Sequence, residues 1–194
     1  MKTLSLEKEI IEGLTSHQIK EYLKQSDDYI KISGIVKEST VDGPGFRYVV
    51  FTQGCPHKCE GCHNEHTHNI EGGYYINTLE IIEEIKKNPL LRGVTISGGE
   101  PFLQAKKIAK LISKIDRVKH DVIVYTGFEF EKLIKLSNEE NNFIELISQV
   151  DVIMDGKFIL ELKSNDTLFR GSSNQRAIDV KRTLNENKVI EYEF

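Results

Sequence analysis

Thiols are almost absent from this chain. Its 194 residues hold three cysteines, so nothing is left over for a second cysteine-rich metal insert, and the odd count argues against a disulfide framework. Long apolar runs are missing as well. No stretch approaches the roughly 20 apolar residues that a membrane helix needs, and Met1-Lys2-Thr3-Leu4-Ser5-Leu6-Glu7 lacks the apolar centre of a secretion signal. A cytoplasmic location is therefore expected, where thiols stay reduced. A basic surplus is missing too. Lys and Arg number 26 against 30 Asp and Glu, a net charge of −4, with both signs interspersed. That balance excludes a nucleic-acid footprint and disfavours binding to an anionic membrane surface. No internal repeat or low-complexity segment is evident. What remains, 39% hydrophobic and 29% charged residues, is the composition of a soluble globular protein, and the length suits one domain with a small appendage.

The three cysteines that are present are crowded together. Cys55, Cys59 and Cys62 lie within the run Gly54-Cys55-Pro56-His57-Lys58-Cys59-Glu60-Gly61-Cys62-His63-Asn64. A thiolate is a soft metal ligand, and three on one short loop can converge on one inorganic centre. A cubane iron–sulfur cluster has four irons, each needing an outer ligand. Three protein thiolates leave one iron open to a small molecule. A structural zinc site is the competing reading, because zinc accepts three cysteines and a histidine, and His57, His63, His66 and His68 are near. Zinc sites usually pair their cysteines as C-x2-C with a second pair elsewhere. Here the gaps are three and two residues with no second pair, so spacing ranks the cluster first, zinc second and a disulfide a distant third.

Along the chain, residues 1–28 read as a helical extension. Leu6, Ile10, Ile11 and Leu14 have helical spacing, and so do Ile19, Tyr22 and Leu23 after a Thr15-Ser16 pair suited to capping a second helix. Residues 29–194 read as the main domain. Strands are expected at 47–52, 93–97, 122–125 and 150–154, with one more at 177–180. Between them, helices are expected at 78–87, after Pro101 (with Ala105, Ile108, Ala109, Ile112 and Ile115 on one side), through Leu133 and Leu136, and at 143–149. Alternating strands and amphipathic helices predict an α/β fold with a parallel sheet. Fewer than eight strands predict an incomplete TIM-type β/α barrel. The glycine and polar motifs fall just after the strands, at the carboxyl ends where parallel α/β folds bind ligands.

These motifs resemble a known family. Cys55-x3-Cys59-x2-Cys62 after a first strand is similar to the signature of the radical S-adenosylmethionine (SAM) superfamily, and Ser97-Gly98-Gly99-Glu100-Pro101 after the second is similar to its GGEP motif. Within the superfamily the chain most resembles the activating proteins of anaerobic (class III) ribonucleotide reductase. That narrower likeness rests on Val41-Asp42-Gly43-Pro44-Gly45, Asp155-Gly156-Lys157-Phe158 and Arg170-Gly171-Ser172-Ser173-Asn174-Gln175-Arg176, and it covers about residues 30–185.

The resemblance implies an enzyme with two cofactors. Cys55, Cys59 and Cys62 would hold a [4Fe–4S] cluster, and SAM would chelate the open iron. An electron passed to SAM would yield a 5′-deoxyadenosyl radical, which takes a hydrogen from a glycine of the partner, the glycyl-radical large subunit of anaerobic ribonucleotide reductase. Reduced flavodoxin or ferredoxin would donate the electron. Neither nucleic acid nor membrane is an expected partner. Gly61 and Gly54 would let the loop turn tightly around the cluster, and His63 takes the position whose ring lies against adenine in the family, with an exposed histidine as the plain alternative. Gly98 and Gly99 would offer bare backbone to the ammonium and carboxylate of SAM, while Glu100 suits the cap of the following helix. Asp42-Gly43-Pro44-Gly45 is a turn by composition, and its place before the cluster strand suggests a loop near the partner's glycine. Tyr125-Thr126-Gly127 can line the SAM site or belong to the core. Lys157 can meet a carboxylate or sit on the surface, and the 170–176 segment can grip the partner or tie down the last strand. An activase for another glycyl-radical enzyme, of the pyruvate formate-lyase type, would carry the same chemistry. The rival from another class is a zinc-binding interaction module.

Overall fold

The computed structural model describes residues 15–194. The first expected helix, with Leu6, Ile10, Ile11 and Leu14, lies outside the described residues. The second is α1, Ser16–Gln25. Thr15 caps it in a capping box: its hydroxyl accepts from the Gln18 N–H, and the Gln18 side chain accepts from the Thr15 N–H. Ile19, Tyr22 and Leu23 are half-buried against the body. Lys107 holds the far end by donating to the Leu23 and Lys24 carbonyls, which would otherwise be orphaned at a helix terminus.

Seven strands follow in one sheet: β1 Tyr29–Ser39, β2 Phe46–Thr52, β3 Tyr74–Asn77, β4 Leu91–Gly98, β5 Asp121–Tyr125, β6 Val152–Asp155 and β7 Arg176–Asp179. Their order is β3-β1-β2-β4-β5-β6-β7. The run β2-β4-β5-β6 is parallel, whereas β1 pairs antiparallel with both β2 and β3, and β7 pairs antiparallel with β6. The expectation of a barrel of parallel strands is thus corrected to a mixed α/β sheet with a parallel centre and antiparallel edges. The physical reason lies in the connections. A turn of six residues, 40–45, joins β1 to β2, too short for a helical crossover. The segment from β6 to β7 also carries no α-helix, only a short 3-10 turn at Leu160–Leu162.

The helices are α2 Thr78–Lys87, α3 Ala105–Ile112, α4 Phe130–Leu136, α5 Phe143–Ile147 and α6 Val180–Glu186. The main core is packed between one face of the sheet and the helices. Ile30, Ile32, Tyr48, Val50, Val94, Ile96, Val122, Val124 and Ile153 meet Ile81, Ile85, Ile108, Ile112 and Leu133 there. The stripe of Ala105, Ile108, Ala109, Ile112 and Ile115 is buried throughout, as its spacing requires. The second face carries Ile123, Val152, Met154 and Ala177, covered by Tyr125, Phe169 and Tyr192. The 40–45 turn folds over the same face, where the Asp42 carbonyl accepts from the Thr95 hydroxyl and the Pro44 carbonyl faces Arg47. Arg47 is fully buried, and desolvation weakens its guanidinium's hold on the proton. Asp121 pairs with it at 2.6 Å, while Thr95 and the Val94 carbonyl accept its other donors.

Candidate metal and cofactor site

The carboxyl ends of β2, β4, β5 and β6 lie side by side, and each runs into one of the motifs. The chain leaves β2 through Gln53 and Gly54 into the cysteine loop. Gly54 (φ +96°), Lys58 (φ +48°) and Gly61 (φ +69°) all adopt left-handed backbone, a conformation readily reached by glycine and strained for a lysine. These reversals fold the loop back on itself. Gly54 N–H donates to the Thr67 carbonyl, and the Gln53 amide donates to the His66 and Asn69 carbonyls, so the return limb is held to the outgoing one. A 3-10 turn, Glu65–Thr67, closes it with Thr67 buried.

Cys55 is buried, and Cys59 and Cys62 are half-buried. Burial pushes the Cys55 thiol up, with the His57 and Lys58 backbone N–H groups acting against it; burial also raises the Cys62 thiol, which the Asn64 N–H opposes from 3.4 Å. Backbone donors aimed at sulfur are what a thiolate bound to iron needs, so the donor set fits an iron–sulfur cluster. Among the described residues no group of three or more His, Cys, Asp or Glu side chains, the three cysteines included, is drawn together closely enough to hold a metal ion. His57, the ring nearest in sequence to two of the thiols, is engaged elsewhere.

Its partner is Glu100. The turn after β4 is pinned to the end of β2: Gly99 N–H donates to the Thr52 carbonyl at 2.8 Å and Glu100 N–H to the Gly54 carbonyl at 2.7 Å. A Cβ on Gly99 would lie 2.4 Å from the Gly54 oxygen, and one on Gly98 (φ +91°) would lie 2.7 Å from the Phe51 Cα. Glycine at both positions is thus required for two backbones to approach. Glu100 itself is fully buried. As expected it caps the following turn, a 3-10 segment Pro101–Gln104, with Oε1 accepting from the Phe102 N–H. It does more than cap. Thr126 Oγ1 donates within 2.9 Å of Oε1 and 3.0 Å of Oε2, the Gly127 N–H donates to Oε2 at 3.0 Å, and His57 Nε2 lies 2.7 Å from Oε2. The His57 ring packs edge-on against Phe128 at 4.6 Å, and a Cβ on Gly127 would strike it at 2.3 Å. One carboxylate therefore joins the cysteine loop, the end of β4 and the end of β5.

Other expected site residues fall nearby. His63 is exposed, its ring 5.5 Å from that of Phe158 on the loop after β6, and Leu160 of that loop lies against Gly61. Lys157 is exposed. The 170–176 segment is tied to the end of β6 and to α4: Gln175 donates to the Gly156 carbonyl and accepts from Gly171 and Ser172, while Arg176 pairs with Asp155 and Glu131. Tyr125 donates to the Phe169 carbonyl at 2.7 Å. Sequence reasoning missed His57, Thr126 and Gly127 as partners of Glu100. The only signal was that a capping carboxylate has a second oxygen to satisfy. A cleft of about 740 Å3 opens between α1 and the start of α3; none of the three cysteines lines it.

A description of 4Fe-4S single cluster domains matches residues 41–178. The anaerobic ribonucleoside-triphosphate reductase-activating protein of Enterobacteria phage T4 is 37% identical over 142 residues, covering 70% of this chain and 85% of that protein. Those of Escherichia coli K12 (31%, 70% and 89%) and Vibrio cholerae (33%, 70% and 88%) are similar over 144 residues. The structure of Escherichia coli QueE aligns over 51% of this chain and 52% of its own at 18% identity and a TM-score of 0.37, a likeness too slight to bear on the fold. The chain belongs to the 4Fe-4S single cluster domain family and, within it, to the anaerobic ribonucleoside-triphosphate reductase-activating proteins.

Proposed function

We propose that this chain is a radical SAM activase that installs a glycyl radical on the large subunit of anaerobic ribonucleotide reductase. The observation that carries the reading is the three-thiol loop pinned to the Gly98-Gly99-Glu100 turn at the carboxyl ends of parallel strands. Cys55, Cys59 and Cys62 hold the cluster, with the backbone N–H groups of His57, Lys58 and Asn64 steadying the sulfurs. Bound there, the cluster and SAM would supply the one-electron reductive chemistry needed to remove a hydrogen atom from the partner's glycine.

The chain's own residues bind, orient and shield. Gly61 keeps the loop beside Leu160, which a side chain would displace. His63 and Phe158 present two rings on the rim where an adenine would lie. Gly98 and Gly99 seat their turn against the end of β2, and the SAM methionyl end would bind beside that turn. Arg170 Nε and Asn174 Oδ1 are buried without a hydrogen-bond partner in the segment beyond the end of β6, and a polar ligand there would satisfy them. The parallel quartet of strands serves as a fragment of a TIM-type barrel, with residues 29–194 as the catalytic domain and 1–28 as an appendage. Among the described residues no helix is long and apolar enough to cross a membrane. A cytoplasmic setting, with reduced flavodoxin or ferredoxin as donor, completes the reading. The names of the relatives favour ribonucleotide reductase over pyruvate formate-lyase as the partner.

The test is anaerobic reconstitution with iron and sulfide. It should give about four irons per chain and, on reduction with SAM present, 5′-deoxyadenosine. Mixed with the reductase large subunit, the protein should give a glycine-centred doublet in electron paramagnetic resonance. Cys62→Ala should lose both the iron and the product. An iron-replete, reduced wild-type protein that forms no 5′-deoxyadenosine would overturn the reading.

A further inference from the structure

We propose that His57 is a positioning residue: through its bond to Glu100 it fixes the cysteine loop at one height above the strand ends, and so sets where the open iron meets SAM. This rests on the proposed function and names a residue that its chemistry leaves unassigned. His57 stands between two of the thiols in the sequence, two residues from each, so anchoring its side chain restrains the backbone that carries Cys55 and Cys59. Its side chain is buried, with 8% exposure, against a carboxylate with none.

The geometry is over-determined in a way that a chance contact would not be. Glu100 Oε2 receives Gly127 N–H and His57 Nε2 together, and Oε1 receives Phe102 N–H. Thr126 Oγ1, which donates across both oxygens, itself accepts from the Phe128 N–H, and Phe128 is the ring that backs His57. Glycine at 127 leaves the space that the imidazole fills. Each contact restricts the ring's position or its tilt, and charged hydrogen bonds buried from water hold geometry better than neutral ones. The same carboxylate sits in the turn whose glycines border the proposed SAM site. The latch therefore couples the position of the cysteine loop to the turn that would receive the methionyl end of SAM.

The variants are His57→Ala and His57→Gln. Gln can place an N–H donor where Nε2 stood, restoring the bond without the ring. The readouts are iron and sulfide retained after reconstitution, the rate of iron loss to a chelator, and KM for SAM separately from kcat. His57→Ala should lose iron about tenfold faster or more, the effect of removing one charged hydrogen bond, and raise KM for SAM more than it lowers kcat. His57→Gln should recover most of both. The thermal midpoint of the iron-free protein is measured alongside, since a residue that merely supports the fold would lower it and leave cluster retention intact in the folded fraction. Iron retention and KM equal to wild type in His57→Ala would overturn the proposal, and so would a His57→Gln variant as impaired as the Ala variant. Wild-type SAM cleavage in the same series separates failure of this inference from failure of the activase reading.

Discussion

Two buried carboxylates stand at the carboxyl edge of this sheet, and they are used differently. Glu100 follows β4 and is fully buried; Asp155 ends β6 and is 1% exposed. Both accept a backbone N–H from the start of a helical segment: Phe102 of the turn that follows Glu100, and Phe130 of α4, which precedes β6 in the chain. They part company in their remaining partners. Glu100 gathers an imidazole from the cysteine loop and a hydroxyl and a backbone amide from the end of β5. Asp155 is gripped by Arg176, which also holds Glu131. Arg176 in turn pulls Glu131 below the ordinary carboxylate range and is itself pushed up by both acids. A carboxylate spent partly on a helical cap fastens the cysteine loop in one place and an edge strand in the other.

That contrast is broken most sharply at Asp155. Asp155→Ala removes the acceptor of a backbone N–H and leaves Arg176 with Glu131 alone. Arg176 is 30% exposed, so water recovers part of the loss, and a cost of about 2–3 kcal/mol is expected. For a domain of this size that lowers the thermal midpoint by roughly 4–12 °C. Iron content after reconstitution should match wild type in the protein that remains folded. Calorimetry with iron analysis decides it. Iron loss in step with stability would show that the two edges are not separate.

The difference between the two carboxylates was only half visible in the sequence. The strands at 47–52, 93–97 and 122–125 and the helix at 78–87 were legible, because β-branched runs and a strong apolar stripe leave little choice. β1 was not singled out, although Ile30 and Ile32 alternate with Lys31 and Ser33, because its register slips near Gly34 and its outer half is polar and exposed. β3 is four residues long, too short for a period to register. The antiparallel edges were invisible because strand direction depends on connection geometry, which alternation does not encode. The thiols and the Gly-Gly-Glu-Pro turn announced themselves by spacing. His57 did not, since its partner lies 43 residues away and only folding brings the two together.

Two glycines give a finer cut through the comparison. Gly127 beside Glu100 has ordinary backbone but no room, since a Cβ would meet the His57 ring at 2.3 Å. Gly156 beside Asp155 has room, with no atom nearer than 3.7 Å, but a φ of +94°. Gly127→Ala should displace His57 and speed iron loss by several-fold, about the effect of weakening one hydrogen bond. Gly156→Ala should cost roughly 1–2 kcal/mol through backbone strain alone and leave iron loss unchanged. Chelator kinetics and urea midpoints on the two variants test the pairing. If both variants lose iron equally, the edge behaves as one unit.

The smallest effect concerns an ionisable group governed by burial rather than by such a clamp. Tyr48 on β2 is 1% exposed in the main core, and burial pushes its hydroxyl up to about 12, with the charge of Glu84 adding to the shift. Unfolded, the same hydroxyl would titrate near 10. Below that pH both states keep the proton and Tyr48 contributes no pH dependence. Between about 10 and 12 the unfolded chain gives up its proton and the folded chain does not, so stability falls as pH rises through that window. Tyr48→Phe removes this contribution, while the other lysines and tyrosines titrate identically in both proteins and cancel in the difference. Urea midpoints at pH 8 and pH 11 should therefore drop less for Tyr48→Phe than for wild type. Parallel curves would mean that the hydroxyl reaches water in the folded state and that burial does not govern its titration.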